Sequence, residues 1–305
     1  GSWITYGLGS ENKNLPGFMV LLSGGSDPSG GKSLWGSGFL PSVYQGVQCR
    51  TSGDPILYVS NPKGINREVR RRSLDALKKL NEFELKQFGN PETLTRINQY
   101  ELAFRMQQHA PGLTDLSEES PATLKMYGIG DEATDDFGRQ CLLARRMAEA
   151  GTRYIQVNYS DNANTPRWDQ HSKIQKHEIH ARATDKPVAG LIADMKQRGL
   201  LEDTLIWWGG EFGRNPFKQG ADGRDHNPKG FTHFLCGGGV KPGFSFGATD
   251  EFGHEAVENK VHMHDMHATL LHLLGIDHEK LTYRHAGRDF RLTDVEGRIV
   301  HDLFA

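Results

Sequence analysis

The sequence has 305 residues, 36% of them hydrophobic and 24% charged, with a mean hydropathy of −0.58. That balance is too polar for a bilayer-spanning protein and apolar enough to bury a core, so membrane-spanning and disordered classes are excluded. Thirty-six basic against 38 acidic residues give a net charge of −2; this lacks the cationic excess with which nucleic-acid-binding proteins neutralise phosphates, and small or neutral partners are expected instead.

In chain order, Phe18-Met19-Val20-Leu21-Leu22 reads as a buried strand, and the Gly/Ser/Pro-rich loop over 23–32 that follows matches neither a P-loop nor a dinucleotide fingerprint. Between Asn66 and Gly89 apolar residues at near-helical spacing predict an amphipathic, solvent-facing helix, with Arg70-Arg71-Arg72 as part of its solvated face. Further helices are predicted over 91–108 and 132–150. A strand over 154–159, a helix over 171–198 and a strand over 204–208 then read as a βαβ unit. Residues beyond both strands would emerge side by side at the carboxyl edge of one parallel sheet. A third strand over 232–236 ends in Gly237-Gly238-Gly239, and a helix over 263–274 stops at Gly275. The chain is read as one α/β domain over 1–305. Cys49, Cys141 and Cys236 follow no paired spacing, so neither a disulfide framework nor a thiolate zinc site is indicated. No signal-peptide pattern opens the chain, which starts at Gly1-Ser2-Trp3 as if cut from a longer one.

Thirteen of the 14 histidines fall between His171 and His301, which places any imidazole chemistry in the C-terminal half. Three polar clusters flank the predicted strands there: Trp168-Asp169-Gln170-His171, Gly209-Gly210-Glu211-Phe212-Gly213-Arg214 and Arg224-Asp225-His226-Asn227. A carboxylate with two imidazoles suits Zn²⁺, and also Mn²⁺ or Fe²⁺, while leaving a coordination position open for water or a substrate oxygen. Asp169, His171 and His226 are therefore expected to share one site. Glu211 is expected to face the same cleft, released by the two preceding glycines, with Phe212 turned to the core. His177 and His180 are read as a partly exposed polar helix face, and His262, His264 and His267 as structural residues at the start of the last helix.

Several segments resemble a known family: Trp3-Ile4-Thr5-Tyr6-Gly7-Leu8-Gly9-Ser10-Glu11, Tyr100-Glu101-Leu102-Ala103-Phe104-Arg105-Met106, the 209–214 and 223–228 clusters, and Gly287-Arg288-Asp289-Phe290-Arg291-Leu292-Thr293-Asp294. They are similar, over nearly the whole chain, to the domain-of-unknown-function family 1501, sulfatase-like proteins. The last third also resembles the alkaline phosphatase and sulfatase superfamily. That resemblance implies an alkaline-phosphatase-like fold with a mostly parallel central sheet and helices on both faces. It implies a metal held by Asp169, His171 and His226, although the superfamily's Asp-x-x-x-His is here Asp-x-His. At the place of the second metal's Asp-His this chain has Glu211-Phe212, so the carboxylate is kept without the imidazole.

The resemblance further implies that the nucleophile lies on a segment outside this sequence. No Cys-x-Pro-x-Arg sulfatase maturation pattern occurs, Cys49 being followed by Arg50-Thr51-Ser52. The implied cofactor is a divalent metal, Zn²⁺ or Mn²⁺ first, with Ca²⁺ or Mg²⁺ as alternatives. The implied substrate is a sulfate or phosphate ester, small or polysaccharide, with Arg214 clamping its anion. An extracytoplasmic location is implied as well, with no transmembrane segment and with room for a homo-oligomer. Two functions are carried forward: a metal-dependent ester hydrolase, and a non-catalytic binding or structural member of the same fold with a degenerate metal site.

Overall fold

Five consecutive apolar residues form strand β1 (Phe18–Leu22), and the alternation of a strand sends Met19 and Leu21 to one face and Phe18 and Val20 to the other. Both faces are covered in the computed structural model, which describes residues 1–23, 27–49, 61–89, 91–164 and 166–305. By its contacts the chain divides into two compact units, Gly1–Asn162 and Ala163–Ala305.

In the first unit, helix α1 (Ser2–Leu8) precedes β1, and strand β2 (Val47–Cys49) follows it. Helices α2 (Arg67–Phe88), α3 (Pro91–Thr114), α4 (Pro121–Met126) and α5 (Asp135–Glu149) lead to strand β3 (Tyr154–Asn158). The three strands make one parallel sheet in the order β2-β1-β3. Met19 and Leu21 pack with Cys49, with Met106 and Ala110 of α3 and with Leu143, Ala144 and Met147 of α5; on the other face Phe18 and Val20 pack on Trp35. A strand buried on both faces needs an unbroken apolar run, which is what Phe18 to Leu22 supplies.

Helix α2 starts where the Asn66 side chain accepts from Val69 N and ends at Gly89, whose φ of 65° closes it with a left-handed residue. It is clasped to α3 by Arg71, which donates from Nη1 and Nη2 to the two Glu101 carboxylate oxygens at 2.9 and 2.6 Å. Arg145, nearly fully buried on α5, donates to Glu119 at 2.7 Å and to Glu149 at 2.8 Å. The sequence placed the end of α3 near 108; the helix runs on through Pro111 to Thr114, whose Oγ1 donates to the Ala110 carbonyl oxygen at 3.0 Å. The glycine-rich loop after β1 lies in part, at 24–26, outside the described residues.

The second unit contains helix α6 (Lys176–Gln197), strands β4 (Ile206–Trp208), β5 (Gly213–Gln219), β6 (Gly223–Asn227), β7 (Phe234–Cys236), β8 (Ala248–Thr249) and β9 (Ala256–Glu258), helix α7 (Met263–Leu273), and strands β10 (Tyr283–His285) and β11 (Arg288–Phe290). Its strands pair antiparallel and two by two: β4 with β7, β5 with β6, β8 with β9 and β10 with β11. The expected βαβ unit is therefore corrected. Strand β3 pairs with β1, whereas β4 pairs with β7; among the described residues no broad parallel central sheet joins them. Between β4 and β7 the chain forms the β5–β6 hairpin, and β7 then runs antiparallel to β4. Helix α6 begins five residues later than expected: Lys173 takes a φ of 55°, left-handed backbone that a helix does not admit, and Lys173 N and Ile174 N donate to Asp222 Oδ1 and Asp222 O at 2.9 and 3.2 Å. His171 thus sits in a loop. No described helix is long and apolar enough to cross a membrane.

Candidate metal centre

The site is built in the second unit from the loop 166–171 and the β5–β6 hairpin. Asp169 N donates to Pro166 O at 3.1 Å and His171 N to Asp169 O at 3.2 Å, a tight double turn. Gln170, 1% exposed, turns inward and donates to Pro166 O at 2.9 Å. The loop is pinned to β6 by Arg224 N, which donates to Gln170 O at 3.2 Å. At Gly223 a Cβ atom would lie 1.8 Å from the His171 carbonyl oxygen, so this close approach admits glycine alone.

Trp168 takes a φ of 68°, left-handed backbone that a bulky residue adopts at a cost of about 1–3 kcal/mol. Its surroundings hold it there. The Trp168 carbonyl oxygen accepts from Arg214 Nη2 at 2.8 Å and from His177 Nε2 at 3.2 Å, and its ring packs against His177 and His180 with centroids 5.4 and 5.3 Å away. The polar helix face expected at His177 and His180 is thus half-buried against the loop that carries Asp169. Burial, with the Arg214 charge behind it, holds His177 below the usual histidine range, against the Trp168 hydrogen bond that favours the charged ring.

The loop and hairpin bring three of the four expected ligands together. His226 Nε2 lies 2.9 Å from Asp169 Oδ1, His171 Nε2 3.1 Å from the same oxygen, and the two Nε2 atoms 3.0 Å from each other. Each of the three side chains is between a third and two-fifths exposed, so the cluster opens to solvent. Two further groups brace it. Phe212 stacks on the His226 ring, centroids 4.0 Å apart and planes inclined by 27°, and Gln219 Oε1 lies 2.7 Å from His171 Nδ1. Phe212 was expected in the core; covering the imidazole face removes part of its ring from water instead. Glu211 is exposed and is not part of the three-ligand group.

Arg214, expected to clamp a substrate anion, is turned onto the site itself. Its Nη2 donates to Asp169 Oδ1 at 2.7 Å as well as to Trp168 O, and its Nη1 donates to Arg224 O at 3.3 Å. Partial burial opposes the Asp169 charge, but the hydrogen bonds from Arg214 and His226 and the Arg214 charge outweigh it and hold the carboxyl below the usual range. His262, His264 and His267 lie elsewhere, at the start of α7. The His262 side chain accepts from His264 N, and Asp265 returns the bond to His262 N, which is a capping box and a structural role. Gln219, Phe212 and Trp168 had no signal in the sequence as site residues, because their contacts arise from hairpin pairing and an unusual backbone angle.

The fold and site together define an α/β protein with a candidate two-histidine, one-carboxylate metal centre. Residues 1–304 match the family described as protein of unknown function, DUF1501, and the chain belongs to that family. No curated protein and no solved structure matches the chain.

Proposed function

We propose that Asp169, His171 and His226 hold one divalent metal ion and that the protein is a metal-dependent hydrolase of sulfate or phosphate esters, related to the alkaline phosphatase and sulfatase superfamily. The observation that carries the reading is the triangle of donor atoms, with edges of 2.9, 3.0 and 3.1 Å. Atoms at the corners of such a triangle meet at about 60°, whereas hydrogen bonds need a nearly straight donor line, so the protons on two imidazoles cannot satisfy all three edges. One cation facing three lone pairs can. With ligands about 2.0–2.2 Å from one ion, edges near 3 Å correspond to ligand–ion–ligand angles of about 90°, as on one face of an octahedral site, while a tetrahedral ion would draw the three atoms out to about 3.3–3.6 Å. The donor set favours Zn²⁺ or Mn²⁺ over Ca²⁺ or Mg²⁺, whose preference is for oxygen alone.

When bound, the ion supplies Lewis-acid polarisation of an ester oxygen. The chain's own groups do the rest: Arg214 keeps Asp169 ionised and aimed, Phe212 shields one face of His226, and the half-exposed rim admits a small ester or a polysaccharide chain end. An extracytoplasmic setting is part of the same proposal. The test is elemental analysis of protein purified without chelators, joined to turnover of aryl phosphate and aryl sulfate. One ion per chain, lost in Asp169→Asn together with any turnover, is the expected result; protein with no micromolar affinity for Zn²⁺ or Mn²⁺ would sink the reading. A second reading, a non-catalytic member that binds without turnover, draws on Glu211 lying outside the cluster. Full metal occupancy with no hydrolysis of either ester class, by this chain and by a version extended upstream to carry the implied nucleophile, would favour it.

A further inference from the structure

His171 is engaged at both ring nitrogens. Nδ1 lies 2.7 Å from Gln219 Oε1, and Nε2 faces Asp169 Oδ1 and His226 Nε2 at 3.1 and 3.0 Å. A carboxamide oxygen only accepts, so a hydrogen bond this short places the imidazole proton on Nδ1. The neutral ring then keeps its lone pair on Nε2, directed at an oxygen that also accepts. The other acceptor near Nδ1, Asp225 Oδ1, is 3.6 Å away and already accepts from His226 N at 2.8 Å. Gln219 is therefore the group that decides the tautomer.

The hairpin explains how a residue at the far end of β5 reaches a loop histidine. Gln219 pairs with Gly223 across the hairpin, and Gly223 is where the missing side chain lets the His171 carbonyl press against the backbone. Between Arg214 and Lys218 the register shifts: Arg214 pairs with His226 and Lys218 with Arg224, so β5 carries extra residues over this stretch. One end of the hairpin thus delivers His226 to the cluster while the other delivers Gln219 to the back of His171.

We infer that Gln219 is a positioning residue for the metal centre: it holds His171 as the Nδ1-protonated tautomer, with the Nε2 lone pair presented to a cation. The inference rests on the metal reading above. Partners of this kind commonly change metal affinity by about ten- to a hundredfold when removed, because the ring must otherwise pay for its own orientation and tautomer. Glutamate at the same position keeps an acceptor oxygen at the same reach, and leucine keeps the bulk without it.

The test uses the whole chain, with Co²⁺ and Zn²⁺ as probes. Dissociation constants are measured by Co²⁺ absorption and Zn²⁺ competition for the native protein, Q219L and Q219E, and thermal melts establish that each is folded. In metal-free protein labelled with ¹⁵N-histidine, two-bond ¹H–¹⁵N correlations assign the His171 tautomer, the signals being identified with H171N. The expected results are an Nδ1-protonated His171 in the native protein and loss of that single tautomer in Q219L. Co²⁺ affinity should fall about ten- to a hundredfold in Q219L and stay within about threefold of native, or tighten, in Q219E. An Nε2-protonated native ring, unchanged affinity in Q219L, or an equal loss in Q219E and Q219L would each overturn the inference beside a native protein that binds metal. A native protein that binds neither ion would overturn the metal reading first and this inference with it.

Discussion

In Gly1–Asn162 a strand is covered on both faces by apolar side chains, whereas in Ala163–Ala305 the strands pair antiparallel two by two and few of their residues are fully buried. The first unit holds most of the fully buried apolar residues, among them Val20, Leu21, Leu142 and Met147. Thirteen of the 14 histidines are in the second, together with the hairpin that frames the candidate metal centre. Burial of apolar area stabilises without direction, while converging polar groups direct chemistry and add little net stability. A substitution in the first unit should therefore be felt as stability, and one at the site as binding.

The largest effect is expected from Glu119→Ala. It removes one carboxylate from Arg145, which is 2% exposed, and from Arg146, and should cost about 3–5 kcal/mol in urea unfolding, since a buried charge loses its 2.7 Å partner. Leu143→Ala empties volume between α5 and the parallel sheet and should cost roughly 2–5 kcal/mol, with faster hydrogen exchange in α3 and α5. If either left stability within 0.5 kcal/mol, roughly the effect of an ordinary surface substitution, the first unit would not be the stability reservoir described.

Gly223→Ala is intermediate. The added carbon must displace the His171 carbonyl, and a loss of about 1–3 kcal/mol is expected together with weaker metal binding. A variant that lost stability but bound Co²⁺ normally would separate the hairpin from the site. Acid is a gentler probe of the second unit. Burial is the foremost cause holding His177, His233 and His267 below the ordinary histidine value of about 6.5. The unfolded chain then takes up more protons than the folded one. Their contribution is complete above about pH 6.5 and is lost as pH falls from there through the lowered folded values. Melts of metal-free protein from pH 8 to 5 should show this loss, and His233→Gln should flatten it. Smallest in stability, at most ~1 kcal/mol because the pair is part-exposed, is Asp169→Asn. The same substitution should reduce metal affinity more than about a hundredfold.

The legible parts of the fold were those with a strong local pattern. The apolar run at Phe18, the helix bounded by Asn66 and Gly89, and α7 followed by Gly275 all lie where the sequence places them. The hairpin was not legible: β5 contains Pro216 and β6 is Gly-Arg-Asp-His-Asn, so neither alternates between apolar and polar residues. Its pairing depends on the partner strand and on a register shift, three residues of β5 opposite one of β6, that no window of sequence displays. The three-ligand group was nonetheless reached from residue type and from position beside predicted strands, although the β5–β6 hairpin and the 166–171 loop, not the edge of one parallel sheet, bring Asp169, His171 and His226 together. Glu211 has the same chemistry but a different placement, because two glycines permit a turn without fixing its direction. Gln219 and Trp168 are ordinary residues given their roles by geometry.

The face-on contact of Phe212 with His226 also furnishes a reporter. Protons held over the face of an aromatic ring are shielded by its circulating electrons, so the His226 ring signals should resonate upfield of those of the exposed histidines such as His262. That displacement depends steeply on ring separation and tilt. It can be followed in intact protein during a titration with a diamagnetic ion such as Zn²⁺, where a closure or rotation of the pair too small to alter circular dichroism would still move the resonance. Phe212→Leu should return the signals to the ordinary region of the spectrum and thereby assign them.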